Sequence, residues 1–302
     1  MSAAAKLARL MEKAELQSAL KETEKSQLEP QQGYSSALMP DWAVDDRGVP
    51  NIALRSALFS SSRTGKYLER AEIYAQNPTR VHYTGKRLSQ TDHDVWITLL
   101  HLSRDNKIDQ PLITSAYALL KQQNKTDTGA NRATLYKCLD KLKASAVEIT
   151  DSRYSYTGSL IDSIYKDIPS RELVVCLNSK LIRLFGPGKY TKVDWSIRRS
   201  LTNKPLAQWL YGYYCSHAEP IPVSVETLLK MAGSEDSSDS SAEKNLQRAL
   251  KSLKLALDEN SQPFSFQILN GIVHVQKTPT DSQRRHLRKK SKASSTRAIP
   301  LH

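Results

Sequence analysis

The chain has 302 residues, enough for about two domains of ordinary size, and 39% of them are hydrophobic. Its 44 lysines and arginines outnumber its 31 aspartates and glutamates and give a net charge of +13. This charge favours a protein that binds nucleic acid, and the alternative is a soluble protein with a solvated basic tail that has no role. The apolar runs are too short for a transmembrane span, and the first 32 residues lack the apolar block of a signal peptide. The three cysteines form no C-x-x-C pair, which predicts a reduced, cytoplasmic protein.

Residues 1–40 predict a flexible N-terminal arm. A frayed helix is expected near "AKLARLMEKAELQSALKE", followed by a linker rich in glutamine, serine and proline. The compact part begins at "DWAVDDRGVPNIALRSALF", where Pro50 and Asn51 can open a short helix. "AEIYAQNPTRVHYTG" then has two alternating runs separated by Asn77 and Pro78, and this pattern predicts a hairpin.

Three helices are predicted next. "TDHDVWITLLHLSR" begins behind a capping Thr91 or Asp92, and "QPLITSAYALLKQQ" forms the second helix. In "RATLYKCLDKLKAS" the spacing of Leu135, Leu139 and Leu142 predicts one apolar helix face. "AVEIT", "SLIDSIYK" and "RELVVCLN" follow as predicted strands.

A second set of elements succeeds the first. "NKPLAQWLYGYYCSH", "PVSVETLLKMAG" and "AEKNLQRALKSLKLALDEN" predict three more helices, with a polar, serine-rich loop before the last. "FSFQILNGIVHVQK" contains two alternating runs around Asn270-Gly271, the strongest hairpin signal in the chain.

The two sets repeat one another at a fixed spacing. Leu246, Leu250 and Leu253 each lie 111 residues after the three leucines of the earlier helix. Three helices followed by a β-hairpin are the order of a winged helix-turn-helix. We therefore predict an α+β fold with two tandem winged-helix domains. The predicted segments are a flexible arm (1–40), a first winged-helix domain (41–190), a second (191–280) and a basic disordered tail (281–302).

The third helix of each set is a candidate recognition helix. In the later one, leucines lie within about 60° on a helical wheel, and the basic residues cluster on the opposite side. Such a face can bind phosphates and base edges in the major groove, although an ordinary solvated face is the alternative for either helix alone. The tail adds a mobile, phosphate-binding arm. The predicted DNA-binding residues are Arg132, Lys137, Lys141, Arg153, Lys244, Gln247, Arg248, Lys251, Lys254, Arg284 and Arg285, and further wing candidates are Tyr154, Tyr156, His274 and Lys277.

Motifs for catalysis are not found. "GPGKYTK" lacks the spacing of a P-loop, and the seven histidines include no H-x-H pair of the kind that a metal-dependent nicking enzyme needs. Cys138 lies beside the leucine face and is expected in the core. No catalytic, metal-binding or cofactor-binding residue is predicted, and no cofactor is expected.

An ordered series of short segments resembles the TrfA family of broad-host-range plasmid replication initiators. The segments span roughly residues 40 to 276. They are "VPN", "RSALF", "YTG", "VW", "CLDKL", "LFGPGKYTK", "SHAEP" and "ETLLKMAGS".

The resemblance implies a monomer–dimer initiator that binds tandem repeats, called iterons, at a plasmid origin. Double-stranded iteron DNA is the expected partner, and single-stranded origin DNA is a second. The family also implies origin opening with host DnaA, help in loading the DnaB helicase, and copy-number control through coupled origins. No membrane partner is expected.

The sequence departs from the family pattern at one segment. Family members carry a Q-L-S-L-F type peptide for the sliding clamp, whereas "EPQQGYSSALMPDW" preserves only the glutamines, so clamp contact is not carried over. A plasmid-encoded winged-helix transcriptional repressor is the alternative function. An enzyme that nicks its origin is a third.

Overall fold

A computed structural model describes residues 38–62, 65–150, 155–234 and 240–288. It mixes helices and strands, as the predicted α+β class requires. The elements up to residue 150 are β1 (Asp46–Pro50), α1 (Asn51–Leu54), β2 (Phe59–Ser60), β3 (Tyr67–Ile73), β4 (Arg80–Lys86), β5 (Leu88–Ser89), α2 (Gln90–Leu102), β6 (Leu112–Ser115), α3 (Ala116–Gln122), α4 (Gly129–Ala144) and β7 (Ala146–Thr150). Those after it are β8 (Ser155–Gly158), β9 (Ile161–Lys166), β10 (Glu172–Leu177), a 3-10 helix (Ser179–Phe185), β11 (Tyr190–Asp194), α5 (Trp195–Ser200), α6 (Pro205–Cys215), β12 (Val223–Ser224), α7 (Val225–Met231), α8 (Ser240–Asp258), β13 (Phe264–Leu269) and β14 (Ile272–Lys277).

Six elements of the first half form a unit of three helices and a three-stranded antiparallel sheet. They follow in the order α2, β6, α3, α4, β9 and β10, and the sheet order is β6-β10-β9. The register places Val175 between Leu112 and Ile164, so that apolar side chains share the inner face of the sheet. The hairpin β7–β8 is inserted after α4 and joins β3 and β4 in a separate four-stranded sheet.

The second unit has the same chain order and the same strand order. Its elements are α6, β12, α7, α8, β13 and β14, and its sheet order is β12-β14-β13. β6 and β12 begin at residues 112 and 223, and α4 and α8 begin at 129 and 240. The leucine spacing seen in the sequence therefore accompanies a repeated topology.

Two local predictions about the first unit are wrong. α2 begins at Gln90 rather than behind Thr91 or Asp92, because the Asp92 carboxylate accepts hydrogen bonds from the backbone N–H and the hydroxyl of Ser89, both at 2.7 Å. The segment 112–115, predicted as helix, is strand β6 paired with β10. Ser115 then caps α3 by accepting from the N–H of Ala118 at 3.2 Å.

The predicted apolar faces of the third helices are confirmed. In α8, Leu246, Leu250 and Leu253 are fully buried. In α4, the corresponding leucines are at most 2% exposed. Both helices are thus fixed by one leucine stripe each, which leaves the opposite side of each helix to solvent.

A buried arginine connects the segment between the units to α2. Arg198 in α5 is 1% exposed, and it donates to the Asp94 carboxylate at 2.7 Å and to the Gln90 side-chain oxygen at 3.0 Å. β11, just before α5, pairs antiparallel with β1. The domain boundary at residues 190 and 191 stays a prediction, and the chain on its far side still packs against elements of the first half.

The ends of the chain are described only in part. Residues 1–37 and 289–302, which include most of the predicted arm and tail, lie outside the described residues. Residues 281–288 are helical, so the prediction of disorder from residue 281 is wrong there. The Gln283 side chain explains the ordering, because its amide donates to the Cys215 carbonyl at 2.7 Å. Across the described ranges, none of the helices combines the length and apolar character needed to span a bilayer.

Truncation of a buried leucine in α8 tests the orientation of that helix. We expect Leu250→Ala to lower the free energy of unfolding by about 2–5 kcal/mol, because it leaves a cavity in the core. Urea denaturation measures the change. Leu255→Ala is the matched control: this side chain is 58% exposed on the same helix, and its loss should cost less than about 0.5 kcal/mol. Equal effects of the two substitutions would contradict the orientation.

Candidate nucleic-acid interface

The outward side of α8 is a cationic surface. Lys244, Gln247, Arg248, Lys251 and Lys254 are all exposed, as predicted, on the side opposite the buried leucines. Within the described residues, the recorded ion pair on this surface joins the Lys254 ammonium to the Asp258 carboxylate at 2.7 Å. Because both side chains are nearly half exposed, the pair contributes little to stability and can be exchanged for a phosphate contact.

The cations of α4 are more often paired with carboxylates than those of α8. Arg132 forms a bidentate pair with the Asp127 carboxylate, with nitrogen–oxygen distances of 2.5 and 2.6 Å. The hydrogen bonds from Arg132 lower the pKa of Asp127, so that the carboxylate stays ionised beside the guanidinium. Lys137 is exposed. Arg132 is thus already matched by a carboxylate.

Lys141 was predicted to face outward, and this prediction is wrong. Its side chain is only 21% exposed, and its ammonium contacts the Asp92 carboxylate, which is fully buried. The same carboxylate caps α2 through Ser89. A buried carboxylate without a cation would be strongly destabilising, so Lys141 stabilises the contact between α4 and α2.

The first unit's predicted wing residues are only partly described. Arg153 and Tyr154 lie outside the described residues. Tyr156 is half-buried, and its hydroxyl donates to the Ser159 carbonyl at 3.3 Å. Burial raises the pKa of Tyr156 to about 12.

The second unit's wing candidates differ from one another. His274 on β14 is exposed. Lys277 is half-buried and donates to the Gln283 side-chain oxygen at 3.0 Å, and burial lowers its pKa. Lys277 therefore ties β14 to the terminal helical segment rather than facing outward.

The two tail arginines lie on that helical segment. Arg284 donates to the Pro279 carbonyl at 2.8 Å and contacts the Asp281 carboxylate. Arg285 is exposed. Both remain on the surface, but Arg284 shares its charge with a neighbouring acid.

A cleft of about 490 Å³ adjoins the first half of α8, and no sequence pattern predicted it. Arg248 and Asn245 line it from α8, and Lys204 lines it from the start of α6. The cleft depends on contacts between elements far apart in the chain. Arg248 is therefore at the edge of both the cleft and the cationic surface.

Three tyrosines and one cysteine thiol of the core have raised pKa values. Burial raises the pKa of Tyr83, Tyr211 and Tyr214. It also raises the pKa of the Cys138 thiol, which is 3% exposed among core residues. Over the described ranges, histidine, cysteine and acidic side chains form no cluster of three or more that could hold a metal ion.

The "GPGKYTK" loop is used for packing. Gly188 has a positive φ of 72°, and its carbonyl accepts from the Asn51 side-chain amide at 2.9 Å. The Lys189 carbonyl accepts from the Asn51 backbone N–H at 2.8 Å. This loop therefore holds the start of α1.

Two sequence comparisons find proteins that are similar to this chain. The model of the family described as TrfA protein matches residues 1–259. The plasmid replication initiator protein TrfA of Escherichia coli is 27% identical over 239 residues, which make up 76% of this chain. The match covers 62% of that protein, so this chain spans about three fifths of its length.

Solved protein structures also superpose on this chain. Domains 2 and 3 of RctB superpose with a TM-score of 0.50 and 12% identity, over 73% of this chain and 94% of that one. The Pi initiator protein, solved in complex with iteron DNA, gives a TM-score of 0.46 and 11% identity, over 63% of this chain and 95% of that one. At this identity, the likeness to RctB concerns the fold alone.

Neutralising Lys141 tests whether this residue stabilises the fold. We expect Lys141→Met to lower the free energy of unfolding by about 1–3 kcal/mol, because the buried Asp92 carboxylate loses its cation. Thermal and urea unfolding measure the effect. Lys137→Met, on the exposed side of the same helix, should change stability by less than about 0.5 kcal/mol. Identical stabilities of the two variants would contradict a structural role for Lys141.

Proposed function

Because the chain belongs to the TrfA family, we propose that it initiates plasmid replication by binding directly repeated iteron sequences at a plasmid origin. It does so through two tandem winged-helix domains, whose recognition helices are α4 and α8. The observation that supports this proposal best is the outward surface of α8, where cations and an amide lie opposite a buried leucine stripe.

The α8 surface has the chemistry that duplex recognition needs. The major groove admits an α-helix, and guanidinium and amide groups can each make two hydrogen bonds to one base edge. Arg248 and Gln247 have these groups, while Lys244 and Lys251 suit phosphates on either side. Such phosphate contacts make binding salt-dependent, because each releases condensed counterions.

The two recognition helices contribute unequally. Arg132 and Lys141 on α4 are matched by Asp127 and Asp92, whereas most of the α8 cations are not paired within the described residues. α8 supplies most of the electrostatic affinity. α4 fixes the register of the protein on the repeat through Lys137 and through the orientation of its unit.

Initiation then proceeds without bond-making. Binding energy is used to bend the repeats, and the AT-rich segment beside them opens with host DnaA. The protein helps to load the DnaB helicase, and it limits copy number in the cytoplasm by coupling origins. It acts as monomer and homodimer, without a cofactor. Single-stranded origin DNA is a second ligand, and sliding-clamp contact is not part of the proposal.

Removal of single α8 cations should weaken DNA binding without unfolding the protein. The probe is a duplex that the full chain selects from a randomised pool, and fluorescence anisotropy at several salt concentrations measures the affinity. We expect Arg248→Ala and Lys251→Ala to lower affinity by about 5- to 150-fold, as for loss of a contact of about 1–3 kcal/mol. A lost phosphate contact should also reduce the salt slope by about 0.9.

Lys180→Ala is the charge-matched control, because Lys180 is exposed on the 3-10 helix outside both recognition helices. Its affinity and salt slope should equal those of the parent. Parental affinity in both α8 variants would place the recognition surface elsewhere.

DNA opening separates initiation from the other functions. On a supercoiled plasmid that carries the selected repeats beside an AT-rich segment, the protein with DnaA should make thymines of that segment reactive to permanganate. A transcriptional repressor would bind the repeats and leave these thymines unreactive. A nicking enzyme would instead yield a covalent protein–DNA adduct.

A further inference from the structure

The hairpin of the second unit ends in two exposed aliphatic side chains. Leu269 and Ile272 are 54% and 41% exposed, and they lie directly opposite each other across the Asn270-Gly271 turn. Single exposed apolar residues are ordinary on protein surfaces. A paired leucine and isoleucine beside a hairpin turn present a small apolar edge to solvent.

This tip is held in one conformation. Asn270 and Gly271 have φ values of 51° and 72°, the left-handed pair that a tight two-residue hairpin turn requires. The Gly271 carbonyl accepts from the N–H of Val225 at 2.9 Å, so the turn is tied to the start of α7. Ile272 also pairs with Ser224 of β12. The aliphatic side chains are therefore presented by a fixed backbone.

Beside the tip, the outward face of the hairpin is polar and free of acids. Gln267 lies opposite His274, and Ser265 lies opposite Gln276. All four side chains are exposed. Residues 264–277 include no aspartate or glutamate, so nothing within the hairpin repels phosphates. On the neighbouring α7, the exposed Glu226 is paired with Lys230 at 2.6 Å.

The hairpin turn of the first unit provides an internal contrast. Ile168 between β9 and β10 is 81% exposed, but Asp167 and Glu172 lie beside it. The Ser170 hydroxyl is within hydrogen-bonding distance of both carboxylates, at 2.8 and 3.3 Å. Charges of both signs surround Ile168, because Lys166 and Arg171 are exposed near the two carboxylates. Ile168 lies outside the paired residues of β9 and β10, whereas Leu269 and Ile272 face each other in register. The two turns therefore differ in their charges and in the pairing of their aliphatic side chains.

We propose that the β13–β14 tip is a wedge that inserts Leu269 and Ile272 at a base step in the minor groove while the polar face beside it contacts base edges. Proteins that kink DNA combine these two components, with amide side chains reading the groove and aliphatic side chains unstacking a step. The wedge rests on the proposed function, because α8 brings the second unit to the duplex. It gives the second unit a direct part in bending and opening DNA.

The chemistry of the surface favours DNA over a protein partner. Two aliphatic side chains are far too small for the roughly 1,000 Å² that a specific protein interface buries. Amide, hydroxyl and imidazole groups, in contrast, match the acceptors that both A·T orientations present in the minor groove. Steps such as TA unstack most readily, so they are the expected site of insertion.

The test measures base unstacking with the full chain on a short duplex that contains TA steps. 2-Aminopurine replaces adenine at one step at a time, and energy transfer between end labels reports the bend. The parent at saturation should raise the fluorescence several-fold at one step and bend the duplex. Leu269→Gln combined with Ile272→Thr replaces the aliphatic groups with polar ones and keeps the β-branching at residue 272. The double variant should abolish the rise and reduce the bend while the protein still saturates the duplex.

Ile168→Thr is the matched control and should behave as the parent. Thermal unfolding checks that each variant folds. An equal rise in fluorescence with the parent and the double variant would overturn the wedge, as would the lack of a rise at every step with the parent. If unstacking depends on the tip but the chain selects no sequence from the randomised pool, the wedge stands and the proposed iteron recognition falls.

Discussion

Two carboxylates on α2 must be matched by cations from elsewhere in the chain, and the packing of the first unit and of the segment after it depends on this requirement. Asp92 is fully buried and contacts Lys141 of α4, while Asp94 contacts Arg198 of α5. Removing either cation would leave a carboxylate poorly solvated, which costs far more than an exposed pair contributes. α2 thus fixes the third helix of its own unit and the segment that leads to the next unit.

The sequence predicted the elements that have strong local patterns. Leucine spacing identified α4 and α8, and Asn270-Gly271 identified the last hairpin, because each signal lies within one element. β6 was missed as a strand because four residues are too few for a clear alternation, and pairing with the distant β10 decides its conformation. The start of α2 was misplaced because it depends on Asp92, which accepts from Ser89 and is also paired with the distant Lys141.

For the candidate interface, helix periodicity was informative about α8 and misleading about α4. A wheel shows which residues oppose the leucines, but it cannot show which cations find carboxylates elsewhere. Lys141 and Asp92 are 49 residues apart in the chain, and Arg198 and Asp94 are 104 apart. Leu269 and Ile272 were visible in "ILNGIV", but only the register shows that both side chains are exposed at the turn.

Arg132 and Lys141 of α4 are paired with carboxylates, whereas among the described residues most cations of α8 are not. This difference has an evolutionary consequence. Substitution of an outward residue on α8 leaves the leucine stripe intact, so the proposed recognition surface can change with little loss of stability. On α4, a change at Lys141 also disturbs the cap of α2. Under the proposed function, related chains that bind different DNA repeats should therefore vary mainly along α8, whereas α4 is under the stronger folding constraint.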